Sequence, residues 1–333
     1  MSKLTIRDVA QAAGVSTATI SRVLNDSGYV SAEVREHVQA TIRSLGYRPN
    51  AIARSLKQEK SRSIGLIVPD MTNPYFMTVA RAVQRRIERE GAGYHLLIMD
   101  SAEDPEKERE ALHFLLEKRV EAIVLAGTGG NRELVQTASD GGTYVVLADR
   151  TIDGLSLDVV AEDNVDVSRE AIVYLAGRGH RRIAVINGRQ TISTARERYA
   201  GVCAGFVQAG LQAEPELVIE GDYTRQGGIA AIRALMIRPE RPTAVYCANN
   251  EMTFGVYLGL QELGFPLDEL DIVSFGDLEF SSLFHQRLTV IRQNPERLGE
   301  EVGELVMRRR GEGSGEAAAG REKLVLYPKL ERR

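Results

Sequence analysis

The stretch GVSTATISRVLN, residues 14–25, carries two kinds of surface. Wound as a helix at ~100° per residue, it places Thr17, Ala18, Ser21, Arg22 and Asn25 within roughly 140° of arc, with Ile20, Val23 and Leu24 over roughly 100° on the far side. Such a helix has an apolar back and a small, polar, singly cationic front. Upstream, Thr5 followed by Asp8 reads as an N-cap with an acidic N3 residue, and Val9, Ala10 and Ala13 form an apolar stripe that Gly14 ends. Ser16 caps a second helix, 17–24. Ser31 caps a third, in which Val34, Val38, Ile42 and Leu45 recur on one face before Gly46 stops it. Three short helices, the first two joined by a tight Gly-containing turn, make a helix-turn-helix.

Charge separates this segment from the rest. Residues 1–62 hold ten Lys/Arg against five Asp/Glu, whereas the remainder holds 32 against 41, although the whole chain is only at −4. A basic head on an acidic body points to a polyanion contact confined to the head. The front of the second helix has the size and chemistry of a major-groove reader, with Arg22 able to donate two hydrogen bonds to guanine and Thr17 and Ala18 choosing the adjacent bases. The plainer alternative is a three-helix bundle with a polar outer face. Residues 47–63, YRPNAIARSLKQEKSRS, put Pro49 at a helix start and Ile52 and Leu56 four apart. A helix of about eight residues is marginal alone in water and needs a partner surface.

The runs TIRDVAQAAGVSTATISRVLN and YRPNAIARSLK, in this order and spacing, resemble the DNA-binding headpiece and hinge of the LacI/GalR family of bacterial transcription regulators, and the similarity continues through the whole chain. The resemblance implies operator contacts from Thr5, Ser16, Thr17, Ala18, Thr19, Ser21, Arg22 and Asn25 in the headpiece and from Asn50, Ala53 and Leu56 in the hinge. Leu56 matches the leucine that paired hinge helices insert into the minor groove. The bland reading of Leu56 and Ile52 is packing against the body of the protein.

From Ser63 onward, SIGLIVPD, YHLLIMD, AIVLAGT, YVVLADR, RIAVING, LVIEGDY, AVYCANN and DIVSFGD alternate with amphipathic helical segments. Continuous Val/Ile/Leu runs indicate strands covered on both faces, hence parallel sheet with crossover helices. The fold class read from this is α/β: an N-terminal all-α helix-turn-helix headpiece (1–48), a hinge helix and linker (49–62), and a core of two Rossmann-like lobes (63–333). The resemblance implies a periplasmic-binding-protein-like core whose chain crosses between lobes three times. That places the N-lobe at about 63–161 and 292–321 and the C-lobe at about 162–291 and 322–333, with KLVLYPKL as the last strand of the C-lobe.

Ligands of open parallel sheets sit beyond the carboxyl ends of the strands. Asp70, Asp149-Arg150, Asn187, Asp222-Tyr223, Asn249-Asn250 and Asp277 all follow apolar runs. Each alone is explained by local turn hydrogen bonds; together they suggest a pocket for a small polar ligand. Carried over residue by residue, the family's effector site falls on Asn73, Tyr75, Phe76, Asp149, Arg150, Arg196, Tyr223, Asn249, Asp277 and Gln293. Aromatic rings suit a sugar's apolar face, and carboxylate, amide and guanidinium groups suit hydroxyls or anionic oxygens. Two departures from the family pattern, Asn249-Asn250 in place of Asn-Asp and Phe275-Gly276-Asp277, leave fewer carboxylates beside Arg150 and Arg196. They favour a positive pocket and, within the class of sugars, a sugar acid or sugar phosphate.

Other function classes find less support. GTGG, residues 127–130, lacks the third glycine of a dinucleotide loop, because Arg132 stands there. Walker A, HExxH and GxSxG sequences are absent, and the histidines at 37, 95, 113, 180 and 285 are scattered. Cys203 and Cys247 show neither metal-ligand spacing nor a disulfide framework. A transport solute-binding protein or a nucleotide-dependent α/β enzyme remains the alternative for the core, but no apolar signal segment opens the chain and no run reaches membrane-spanning length. The expectation is a cytoplasmic, non-enzymatic regulator without cofactor, dimeric because no heptad segment follows the last strand, whose partners are double-stranded operator DNA and a small effector.

Overall fold

The structure, a computed structural model, describes residues 4–25, 27–47, 61–90, 93–278, 288–310 and 320–331. The chain divides into two units, Met1–Lys60 and Ser61–Arg333. The expected hinge helix, with Asn50, Ala53 and Leu56, lies outside the described residues, as does the side chain of Asn25.

The first unit holds α1 (Ile6–Ala12), α2 (Thr17–Asn25) and α3 (Ala32–Leu45). Thr5 and Asp8 form a reciprocal capping box: the Thr5 amide donates to the Asp8 carboxylate at 2.7 Å and the Thr5 hydroxyl accepts from the Asp8 amide at 3.4 Å. Gly14, at φ 63°, supplies the left-handed turn between α1 and α2, and Ser16 and Ser31 cap α2 and α3 by accepting from the amides of Thr19 and Val34. Val9, Ile20 and Val38 are fully buried, contributing ~1.5–3 kcal/mol each. Ala10, Ala13 and Val23 complete the core, and the small alanines let the short helices approach closely.

The second unit contains two six-stranded sheets. In the first, β1 (Ser63–Val68), β2 (His95–Asp100), β3 (Ala122–Leu125), β4 (Tyr144–Ala148), β5 (Asp158–Glu162) and β11 (Lys323–Leu326) run parallel in the order β11-β5-β4-β3-β1-β2. In the second, β6 (Ile183–Asn187), β7 (Val218–Glu220), β8 (Ala244–Cys247), β9 (Asp271–Phe275) and β10 (Leu288–Arg292) run parallel and β12 (Lys329–Glu331) antiparallel, in the order β12-β10-β9-β8-β6-β7. The helices α4 (Pro74–Arg89), α5 (Pro105–Glu117), α6 (Arg132–Asp140), α7 (Asn164–Gly177), α8 (Ser193–Gln208), α9 (Arg225–Met236), α10 (Asn250–Glu262) and α11 (Pro295–Arg309) cover the faces. The two-lobe α/β reading therefore stands, and each of the eight apolar runs is a strand. Two further strands, β5 and β10, also form; charges at Asp158, Glu162 and Arg292 interrupt their apolar pattern.

One boundary is corrected. KLVLYPKL is two strands, and the first, Lys323–Leu326, pairs with β5 in the N-lobe; only Lys329–Glu331 joins the C-lobe, against β10. Pro328 has no N–H to extend a ladder and restrains Tyr327 before it, so the run breaks there and the chain crosses. The three crossovers thus follow Glu162, Arg292 and Leu326.

Helix pairs are brought into backbone contact by glycine. A Cβ at Gly201 of α8 would lie 2.2 Å from the Val165 carbonyl oxygen of α7, and one at Gly255 of α10 would lie 2.1 Å from that of Arg225 on α9. The GTGG loop has an internal partner. Fully buried Glu108 of α5 accepts from the Thr128 amide, the Thr128 hydroxyl at 2.9 Å and Asn131 Nδ2 at 2.9 Å. A phosphate in that loop would face this carboxylate, so its geometry is accounted for by an α5 staple.

Candidate functional site

On α2, Thr17, Ala18 and Arg22 are exposed, Thr19 and Ser21 are half-buried, and Ile20 and Val23 face the core. The two-sided helix expected from the sequence is realised, with the Arg22 stem running beside Gly28, whose added Cβ would lie 3.6 Å from Arg22 Cδ. The hydroxyls of Thr5, Ser16 and Thr19 are engaged in the caps at the N-termini of α1 and α2, Ser16 and Thr19 lying 2.9 Å apart. Both helix starts present amide groups and the positive end of the helix dipole.

In the second unit the carboxyl ends of the strands converge on one cleft of ≈ 550 Å³, a size usual for small-molecule sites. The N-lobe contributes Asp70, Asn73, Tyr75, Phe76, Asp100, Glu103, Asp149 and Arg150; the C-lobe contributes Arg189, Thr194, Arg198, Asp222, Tyr223, Arg225, Asn249, Asn250 and Glu251, and Gln293 comes from a crossover. Ala102, Glu103, Asp149, Asp222 and Tyr223 all have φ between 49° and 66°. Five lining residues held in the left-handed region is strain concentrated at one place, which the surrounding bonds must over-determine.

Those bonds are present. Asp149 is buried and accepts from the Tyr75 hydroxyl at 2.9 Å; burial, then the Asp149 charge, hold that phenol well above its ordinary pKa, so it stays a donor. Arg150 makes a bidentate pair with Glu103 at 2.6 and 2.8 Å, and although burial works against its charge, Glu103 keeps its pKa raised. Tyr75 and Phe76 meet edge to face at 5.1 Å. Arg198 is buried 3.6 Å above the Phe275 ring, donating from Nε to Asn164 at 2.8 Å and from Nη1 to the Ala248 carbonyl at 2.6 Å. Asn249 caps α10 through the Met252 amide and donates to the Tyr223 carbonyl. Across the lobes, Asn73 and Asn250 exchange amide hydrogen bonds at 3.2 and 3.1 Å while Asn73 also caps α4.

Of the residues expected from sequence, Asn73, Tyr75, Phe76, Asp149, Arg150, Tyr223, Asn249 and Gln293 line the cleft. Two do not. Arg196 is half-buried and pairs with Asp153 at 2.7 Å, and the α8 arginine that lines the cleft is Arg198. On α8 the buried residues Thr194, Ala195, Arg198, Gly201, Val202 and Gly205 share one face, and Arg196 lies ~200° round from Arg198; this stripe was the available signal. Asp277 pairs with Arg292 at 2.9 Å and lines a smaller neighbouring hollow. The expected positive pocket is also corrected: Asp70, Asp100, Glu103, Asp149, Asp222 and Glu251 outnumber Arg150, Arg189, Arg198 and Arg225 among the lining residues. Glu103, which comes from a left-handed turn after β2, had no sequence signal.

Two family models match the chain: bacterial regulatory proteins of the lacI family over residues 5–50, and periplasmic binding proteins and sugar-binding domain of the LacI family over residues 61–319. The HTH-type transcriptional repressor PurR of Pasteurella multocida (strain Pm70) is 33% identical over 328 residues, covering 98% of this chain and 96% of its own. A lac repressor dimer, solved bound to operator and the anti-inducer ONPF, superposes with TM-score 0.83 at 26% identity, covering 100% of this chain and 98% of that one. The transcriptional regulator CelR, solved with cellobiose, matches with TM-score 0.70 at 26% identity and covers 99% of each chain. With a helix-turn-helix at its N-terminus and a two-lobed, cleft-bearing α/β core, the chain belongs to the LacI family of bacterial regulatory proteins.

Proposed function

We propose that the protein is a transcriptional repressor that binds a pseudo-palindromic operator as a homodimer and alters its grip when a small, neutral, polyhydroxylated effector occupies the cleft. The exposed polar face of α2 carries this reading. Thr17, Ala18, Ser21 and Arg22 face the base edges of a major groove in this proposal, with Asn25 added on the family likeness alone, and Thr5, Ser16 and Thr19, at two helix starts, sit against phosphates. One Arg–guanine contact gives ~1–3 kcal/mol of discrimination, too little for a single half-site among genomic competitors, so a twofold pair multiplies it. Asn50, Ala53 and Leu56 enter the adjacent minor groove in this proposal on the family likeness alone. The relative solved on operator is a dimer, which supports the same assembly here.

Within the cleft, Tyr75, Phe76 and Tyr223 offer apolar faces, and Asp149, Arg198, Asn249 and Gln293 offer paired acceptors and donors for hydroxyls. The carboxylate excess opposes an anionic ligand, so a neutral sugar-like molecule replaces the sugar acid or phosphate suggested by sequence; the cellobiose-bound relative agrees in class. Coupling of ~1–3 kcal/mol between cleft and headpiece changes operator affinity by up to about a hundredfold. The protein acts in the cytoplasm by binding, without catalysis or cofactor. None of its helices among the described residues is long and apolar enough to cross a membrane. Calorimetric titration with neutral hexoses and disaccharides beside their acids and phosphates tests the effector: tight binding confined to the anionic forms overturns the assignment.

A further inference from the structure

Glu162 is the last residue of β5 and opens the first crossover between the lobes. It is 3% exposed. Its Oε1 accepts from the Asn294 amide at 2.8 Å and its Oε2 accepts from Gln293 Nε2 at 2.6 Å, both on the second crossover. The next residue, Asp163, donates its amide to the Leu326 carbonyl at the third. All three connections are therefore tied within two residues. Gln293 in turn lines the cleft, and its Oε1 packs so close to Gly276 that a Cβ there would lie 2.9 Å from it. Asn294 caps α11 through the Arg297 amide.

We propose that Glu162 is a positioning residue that pins the interlobe crossovers, and that the proton state of its carboxyl sets how tightly Gln293 and Asn294 are held. An ionised carboxylate presents acceptors to both donors at once. Protonation converts one oxygen to a hydroxyl, weakening one of the two bonds and loosening the second crossover from the first. The charged groups facing it come from every adjoining element: Asp149 after β4 disfavours its charge, Arg198 on α8 favours it, and Tyr75 on α4 stands within range. Glu197, the residue before Arg198 on α8, has its own pKa raised, chiefly by burial, against the Asn164 hydrogen bond and the Arg198 and Lys323 charges, which favour its ionised form. Burial is the largest influence, followed by the opposing Asn294 amide bond, and together these raise the carboxyl pKa to about 7. The pin is therefore expected to change its proton state near neutrality.

The test uses the full-length chain with isotope-labelled glutamate carboxyls and amide hydrogen exchange, corrected for intrinsic rates. One carboxyl resonance, missing from Glu162→Gln, is expected to titrate near neutrality, and the Asn294 amide is expected to lose protection about fivefold on acidification with the same midpoint. In Glu162→Gln, an analogue of the protonated acid, that amide is expected to be less protected at every pH and to show no midpoint. The wild-type titration decides the matter even where the variant folds poorly. A resonance titrating in the ordinary carboxylate range, flat Asn294 protection, or an unchanged midpoint in Glu162→Gln overturns the proposal, and none of these outcomes bears on DNA binding.

Discussion

Replacing Arg198 and Arg196 separately by Met distinguishes a cleft arginine from a surface one. Arg198→Met leaves the Asn164 Oδ1 and Ala248 carbonyl acceptors without their donor, at ~1–3 kcal/mol each. It also removes the stacking on Phe275, worth ~2 kcal/mol when desolvated. Methionine recovers part of this by packing, so the net loss is about 4 kcal/mol. Arg196→Met removes an ion pair whose side chains are 38% and 81% exposed, together with exposed hydrogen bonds from Nη1 to the Gln190 and Thr191 carbonyls that water can replace, worth about 1 kcal/mol in all. With a urea m-value of ~3 kcal/mol/M for a core of this size, unfolding followed by far-UV circular dichroism should show Arg198→Met lowered by more than about 1 M and Arg196→Met nearly unmoved. Equal shifts, or a larger one for Arg196→Met, would refute both the assignment of the buried face of α8 and the energies attached to it.

Other consequences are open to measurement. Arg22→Ala should relax selection at one guanine in each half-site by ~1–3 kcal/mol, read by competition among single-base operator variants; a uniform loss across all sequences would reassign Arg22 to phosphate. For Glu162 the sign follows from a folded-state pKa raised from 4.5 to about 7: the folded chain binds more protons between those values, so this group's contribution is greatest below pH 4.5 and falls as pH rises through 7, by ~3 kcal/mol in all. Urea titrations across that range should show this component in the wild type and lose it in Glu162→Gln; an identical slope in both contradicts it. Gly201→Ala should separate α7 from α8, because its Cβ meets the Val165 carbonyl at 2.2 Å, and cost upward of ~3 kcal/mol in unfolding experiments; a neutral change would mean the helices shift freely.

Much of this was legible in the sequence, for identifiable reasons. Caps at Thr5, Ser16 and Ser31 act through local hydrogen bonds, and apolar strands report their burial directly, so the headpiece and eight strands could be read off. Strand β5 was obscured because Asp158 and Glu162, charged on paper, are buried against Tyr144 and the crossovers. KLVLYPKL looked continuous because pairing partners are non-local and only Pro328 marks the break. In the cleft, residues at strand ends were found and Arg198 was not, since two arginines two positions apart differ only in which helix face they occupy. The net charge of the cleft depended in part on Glu103, whose left-handed backbone brings it inward by geometry that composition does not encode.

The most direct test of the whole account is selection of duplex DNA from a random pool by the full-length protein at moderate salt, with and without neutral sugars. Enrichment of an inverted repeat, with recovery altered by at least one sugar that also binds calorimetrically, is the predicted result. Recovery indistinguishable from random competitor under every condition would contradict it.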